Sequence, residues 1–131
     1  MKLISRVLLV SVILLVSLST AGAKNFGQPA VTVSGVYENF TVGKGSGDLE
    51  GMRVVVVPAG DGYYAIVQIA QGGAEDPKPE FVPAQVKGKT VSFAVGDAKY
   101  TGTVTAAGMT VKDSDGQAQI LKRKACTAYF K

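Results

Sequence analysis

The chain has 131 residues, with 14 Lys and Arg against 10 Asp and Glu, one Cys and no His. The absence of histidine removes the commonest general base and a frequent metal ligand, so we predict no enzyme, no metal site and no cofactor. Lys2 and Arg6 lie in a predicted leader, and the remaining 12 basic and 10 acidic residues give a net charge of +2. That small charge argues against electrostatic binding of nucleic acid.

Residues 1–23 have the three parts of a secretory signal peptide. Lys2 and Arg6 precede an apolar run at residues 7–18, and the small residues Ala21 and Ala23 follow it. A membrane-spanning helix needs about 20 apolar residues, which is longer than this run. We therefore predict cleavage after Ala23 and no membrane span after cleavage. The mature protein is expected to be exported, periplasmic or extracellular, with a single β domain at residues 24–131.

Short segments rich in Val, Ile and Thr recur through the rest of the chain, separated by Gly, Asp and Pro. They predict strands at residues 30–42, 52–57, 63–70, 80–86, 90–95, 99–105, 109–112 and 117–124, with a further segment that could reach residue 130. The short turns between them allow only antiparallel neighbours. We predict an all-β fold, a single small antiparallel meander of eight or nine strands that is barrel-like, with a β-sandwich as the alternative.

Two of these strands and the lone cysteine carry specific expectations. The unbroken valines at 54–57 predict burial on both faces of their strand. Pro83 has no N–H to donate to a ladder, so its strand is predicted to lie at an edge of the sheet. Cys126 cannot form an internal disulfide, and its alternation with polar neighbours predicts burial. A dimer linked through Cys126 is the alternative, and the oligomeric state is left open.

The segments at 90–95 and 99–105 are predicted to pair as a hairpin around Gly96-Asp97. Phe93 is the largest of the alternating apolar side chains, so we expect it to be buried near the centre of the domain. Thr103 should lie on the opposite, exposed face. The predicted inward positions of the hairpin are Val91, Phe93, Val95, Tyr100 and Val104.

Two loops have features of ligand sites, but turn chemistry accounts for them. Asp113-Ser114-Asp115-Gly116 resembles the start of a calcium loop, yet the twelfth position is Lys124 instead of a glutamate, so we predict a hairpin turn. The glycine-rich loop at 43–47 lacks the spacing and the following helix of a P-loop. A hydrolase with a paired-carboxylate site is retained as an alternative function, with Glu38, Asp48, Glu50 and Glu80 as its possible acids.

The tripeptide Gly35-Val36-Tyr37 resembles the opening Gly-x-Trp of lipocalins and avidins. The match covers three residues, a tyrosine replaces the tryptophan, and the chain contains no tryptophan, so we do not assign it to either family. What the resemblance implies is a ligand site inside the barrel. A carrier of a small apolar ligand is therefore a further alternative function.

The remaining candidates are contacts with a partner. Tyr63 and Tyr64 are adjacent on a predicted strand, so one of them must point outward, either to contact a partner or to pack on a second sheet face. The cluster Lys122, Arg123 and Lys124 is typical of a solvated strand edge, with a binding patch as the alternative. We predict a non-catalytic binding or inhibitory module of the cell envelope or extracellular space. Its partner is expected to be another protein or an envelope glycan.

Overall fold

The computed structural model describes residues 31–73 and 77–126. The predicted signal peptide at 1–23, the start of the first predicted strand at Ala30 and the possible final segment towards residue 130 lie outside the described residues. Among the described residues, no helix has the length and apolar character needed to cross a membrane.

Nine antiparallel strands make up the described fold. They are β1 (Gly35–Glu38), β2 (Thr41–Val42), β3 (Leu49–Ala59), β4 (Gly62–Gln71), β5 (Glu80–Lys87), β6 (Thr90–Val95), β7 (Ala98–Val104), β8 (Gly108–Lys112) and β9 (Ala118–Lys124). The predicted first strand is thus interrupted at Asn39. There the backbone N–H of Asn39 donates to the Met52 carbonyl at 3.0 Å, and Asn39 Oδ1 accepts from the Met52 N–H at 2.7 Å.

The sheet closes on itself as an eight-stranded barrel with one additional strand. Consecutive strands pair from β3 through to β9, and β1 pairs with both β3 and β9. The two-residue β2 extends the line of β1 and pairs with β3. Closure satisfies the backbone of the first and last strands, which an open meander would leave exposed. The barrel-like meander predicted from the sequence is confirmed, and the sandwich alternative is not.

Apolar side chains fill the interior of the barrel. Residues two apart on a strand share a face, so alternate positions point inward. Gly102 is one of these positions, because a Cβ there would stand 2.5 Å from the Met109 sulfur. Phe93 is 5% exposed and stacks on Tyr100 across the hairpin at 5.4 Å, as predicted. The other buried core residues are Val33, Tyr37, Met52, Val54, Val56, Ala65, Val67, Ala84, Val91, Val104, Met109, Val111 and Leu121.

The valine run in β3 is buried on one face and half-buried on the other. Val54 and Val56 point into the core, whereas Val55 and Val57 lie on the outer surface of the barrel. The prediction of burial on both faces is therefore wrong for the outer face, which is only half-buried. A single closed sheet has only one enclosed side, and its outer side stays in contact with water.

Pro83 ends one ladder without making β5 an edge strand, so that prediction is wrong. β5 pairs with β4 on one side and with β6 on the other. Lys87 and Thr90 face each other across a two-residue turn, and alternate pairs from there exchange hydrogen bonds. The next such pair would place Pro83 opposite Ala94, where Pro83 would have to donate a backbone N–H that it lacks. The β5–β6 ladder accordingly stops one residue earlier, at Ala84.

Candidate functional site

The two adjacent tyrosines of β4 point to opposite sides of the barrel wall. Tyr63 packs against the interior core. Tyr64 lies outside and stacks on Phe81 of β5, with ring centroids 4.7 Å apart and an interplanar angle of 5°. Phe81 itself is 63% exposed. Exposure of one apolar side chain is common, but the stacked pair of rings forms part of an apolar patch, which is the informative observation.

Sequence reasoning missed Phe81, although the pattern of β5 contains it. Val82, Ala84 and Val86 take the inward positions, which sends Phe81 and Pro83 outward. We call the outer surface formed by Tyr64, Ile66, Phe81 and Pro83 the aromatic face; within it Ile66 pairs with Phe81, and Tyr64 with Pro83.

A surface groove of about 480 Å³ begins at Pro83 and adjoins the aromatic face. It lies where the β5–β6 ladder has ended, and it continues across β6 to β7. Its outward-pointing lining is uncharged except for Lys99. The groove residues are Pro83, Gln85, Ser92, Phe93, Ala94, Lys99, Tyr100 and Thr101. The aromatic face and the groove thus form one continuous, largely uncharged surface.

Arg123 lies at the end of the barrel where β1 begins, not on a solvated edge. Its guanidinium donates to the Thr32 carbonyl at 2.7 Å, to the Ser34 carbonyl at 3.2 Å and to the Tyr37 hydroxyl at 2.8 Å. It also covers the Tyr37 ring at 4.8 Å from the centroid. Gly35 makes room for it, because a Cβ there would stand 2.7 Å from Arg123 Nη1.

Tyr37 completes this end of the barrel. It is fully buried, and its hydroxyl donates to the Val33 carbonyl at 2.7 Å. Burial raises the pKa of Tyr37 above its usual 10.0, and the positive charge of Arg123 opposes part of that rise. The segment before β1 is thereby tied across the opening. We call this arrangement of Val33, Tyr37 and Arg123 the closed end.

The other two cations of the predicted basic cluster have separate surroundings. Lys124 forms an ion pair with Glu38 at 3.4 Å, and Glu38 also pairs with Arg53 at 2.8 Å. Lys122 is exposed. Because β9 pairs with β8 and with β1, the predicted strand edge is wrong. The three consecutive cations do not form one patch, since alternation along the strand sends the middle one inward.

The opposite end of the barrel opens into a cavity of about 360 Å³, which we call the mouth. Met52 and Ile69 lie deepest, and polar side chains stand above them. Burial first, and then the negative charges of Asp113 and Glu80, raise the pKa of Tyr100 above its usual 10.0. The full lining is Glu50, Gly51, Met52, Ile69, Ala70, Gln71, Tyr100, Asp113 and Gln119.

The predicted turn at residues 113–116 is present, and it lies at the mouth. Asp113 Oδ1 accepts from the backbone N–H groups of Asp115 at 3.0 Å and Gln117 at 2.9 Å, and the Gly116 N–H donates to the Asp113 carbonyl. Within the described part of the chain, no three His, Cys, Asp or Glu side chains are grouped to hold a metal ion.

The predicted burial of Cys126 is wrong, because its thiol is exposed. The prediction rested on the alternation of Cys126 with polar neighbours as part of a further strand. β9 ends at Lys124, and Cys126 lies two residues beyond it, outside the barrel wall.

Comparison with known proteins gives no relative. No family model, no curated protein and no solved structure matches the chain.

Proposed function

We propose that this chain is an exported, non-catalytic binding or inhibitory module that contacts a partner protein through its aromatic face. The observation that carries the proposal is the Tyr64–Phe81 stack, with Phe81 63% exposed beside a largely uncharged groove. Aromatic side chains surrounded by a polar rim are the usual centre of a protein interface. An envelope glycan is the alternative partner.

The interior supports binding at the surface over carriage of a ligand inside. Val54, Val67, Val91, Val104 and Leu121 are essentially without solvent contact around the middle of the barrel. A barrel of eight strands can be filled by its own side chains or can hold one small ligand, and here the side chains fill its middle. This argues against the alternative of a carrier for a small apolar ligand.

The alternative of a hydrolase keeps one supporting observation. Glu50 and Asp113 line the same concave mouth. Glu38, by contrast, is engaged by Arg53 and Lys124, as a structural carboxylate would be. Turnover of a glycoside by the wild-type protein that Glu50→Gln abolishes would favour the enzyme over the binding module.

The aromatic face is tested by comparing two equally exposed apolar residues. Phe81→Ser and Val42→Ser remove side chains that are 63% and 64% exposed, on different parts of the surface. The tagged chain is used to capture partners from native envelope and from culture medium. The captured protein is then purified, and its affinity for each variant is measured.

We expect Phe81→Ser to weaken binding by about tenfold or more, as loss of a central aromatic does, and Val42→Ser to leave it unchanged. Thermal melts check that both variants stay folded. Equal affinities of wild type and Phe81→Ser would contradict the proposal. Loss of capture after enzymatic removal of glycans would transfer the contact to the glycan alternative.

A further inference from the structure

The mouth has the form of a small-molecule site. It is a cavity of about 360 Å³ at one end of a filled barrel, a place where barrels commonly bind ligands. Its floor is apolar, with Met52 only 1% exposed and Ile69 packed against the core. Above the floor the lining becomes polar. The cavity is separate from the aromatic face, which lies on the outside of the wall.

The polar lining results from one repeated change in the sequence. On β3, β4, β5 and β9, and directly after β8, the inward row of apolar residues is followed by one more inward position, and that position is an acid or an amide. On β6 and β7 the corresponding positions are Val95 and Ala98. The changes from core to rim are Met52 to Glu50, Ile69 to Gln71, Val82 to Glu80, Val111 to Asp113 and Leu121 to Gln119. Of these five polar residues, the carboxylates Glu50 and Asp113 and the amides Gln71 and Gln119 line the cavity.

The negative charge of this rim is opposite in sign to the net charge of the chain. The sequence contains more basic than acidic residues, 14 against 10, yet the inward positions named at this end include no Lys or Arg. A rim selected only for contact with water would be expected to mix both signs. At the closed end, the last inward residue of β9 is the cation Arg123.

Tyr100 adds an aromatic wall to the mouth. It is held in place by its stack on Phe93 at 5.4 Å, and it lines the cavity together with Asp113. An aromatic ring beside carboxylates is a favourable environment for an organic cation.

We propose that the mouth binds a small organic cation, an ammonium group carried on a compact apolar body. The carboxylates of Glu50 and Asp113 attract the charge, and the ring of Tyr100 contacts it. Met52 and Ile69 receive the hydrocarbon part. An anion of the same shape is repelled. A neutral molecule of the same shape gains only the apolar contact.

The test uses three probes of one shape: cyclohexylammonium, cyclohexanol and cyclohexanecarboxylate. The full chain is titrated with each probe at constant ionic strength while NMR signals are followed. We expect saturable shifts at Ile69 and Tyr100 with the ammonium, affinity about tenfold lower for the alcohol, and no saturation with the carboxylate. Equal affinity for the ammonium and the alcohol would overturn the proposal. An absence of saturable shifts with cyclohexylammonium would also overturn it.

A matched pair of variants separates the site from the overall charge. Glu50→Gln removes one negative charge at the mouth, and Asp61→Asn removes one in the turn between β3 and β4, at the other end of the barrel. We expect about fivefold weaker binding of cyclohexylammonium for Glu50→Gln and no change for Asp61→Asn. Equal weakening by both would show only a long-range effect of net charge and would overturn the site.

Discussion

The two ends of this barrel are built from the same alternating strands and finish in opposite ways. At the closed end the final inward side chain of β9 is Arg123, which donates hydrogen bonds to backbone carbonyls of the crossing segment. At the mouth, inward positions finish in carboxylates and amides, including Glu50 and Asp113, that line a cavity. Arg123 thus reaches across its opening to the backbone of another segment, whereas Asp113 hydrogen-bonds within its own turn and lines an opening that stays accessible.

The largest expected effect lies in the core layer beneath the mouth. Phe93→Ala should lower the free energy of unfolding by about 3–5 kcal/mol, because a buried aromatic is deleted and a cavity remains. That is a large part of the stability of a small domain. Thr103→Ala, on the exposed face of the same hairpin, should stay within about 1 kcal/mol. Urea melts of the two variants measure this, and equal small losses would mean that the open half of the barrel is loosely packed.

A smaller loss of stability is expected when the contacts of Arg123 at the closed end are removed. Arg123→Ala removes three hydrogen bonds and the contact with the Tyr37 ring, and we expect a loss of about 2–3 kcal/mol in unfolding free energy. Lys122→Ala is the control, since its side chain is exposed on the same strand and should change stability by less than about 0.5 kcal/mol. Equal denaturation midpoints for Arg123→Ala and Lys122→Ala would contradict a stabilising role of Arg123 at the closed end.

The smallest expected effect depends on pH. Tyr37→Phe removes the hydrogen bond to Val33 and the one accepted from Arg123, and it should cost about 1–2 kcal/mol near neutral pH. The folded pKa of Tyr37 lies above its usual 10.0, so its contribution is complete below about pH 10 and is lost as pH rises through the folded value. Between about pH 8 and about pH 11, the unfolding free energy should therefore decrease less for Tyr37→Phe than for wild type. Equal decreases in the two proteins would show that another group causes the loss of stability at high pH.

Local pattern was enough to predict the β6–β7 hairpin. Strict alternation at Val91, Phe93 and Val95 and a two-residue turn at Gly96-Asp97 act within a few residues of each other, so the inward face is fixed locally. The turn at residues 113–116 was predictable for the same reason, since the Asp113 side chain bonds to N–H groups two and four residues ahead. Such contacts depend little on the rest of the chain.

Non-local contacts explain the errors. The second partner of β9, besides β8, is β1. Arg123 there faces Tyr37 across 86 residues of sequence, and no local pattern indicates that pairing. Without it, β9 was interpreted as an edge and Arg123 as a surface cation. The mouth was missed because an acid at the end of a strand has the same local sequence whether it lines a cavity or faces water. Only the assembled ring of strands brings Glu50 and Asp113 to one opening.

The pairing of β1 with β9 has a consequence for how the molecule is made. Residues 122–124 of β9 supply one of the two partners of β1, from which they are separated by more than 80 residues of sequence. A nascent chain that stops before Ala118 can form the β3–β8 meander, but it leaves β1 with a single neighbour. Contacts so distant in sequence slow folding. The barrel is therefore closed only after β9 has been synthesised, and until then β1 and β8 each lack a neighbouring strand on one side.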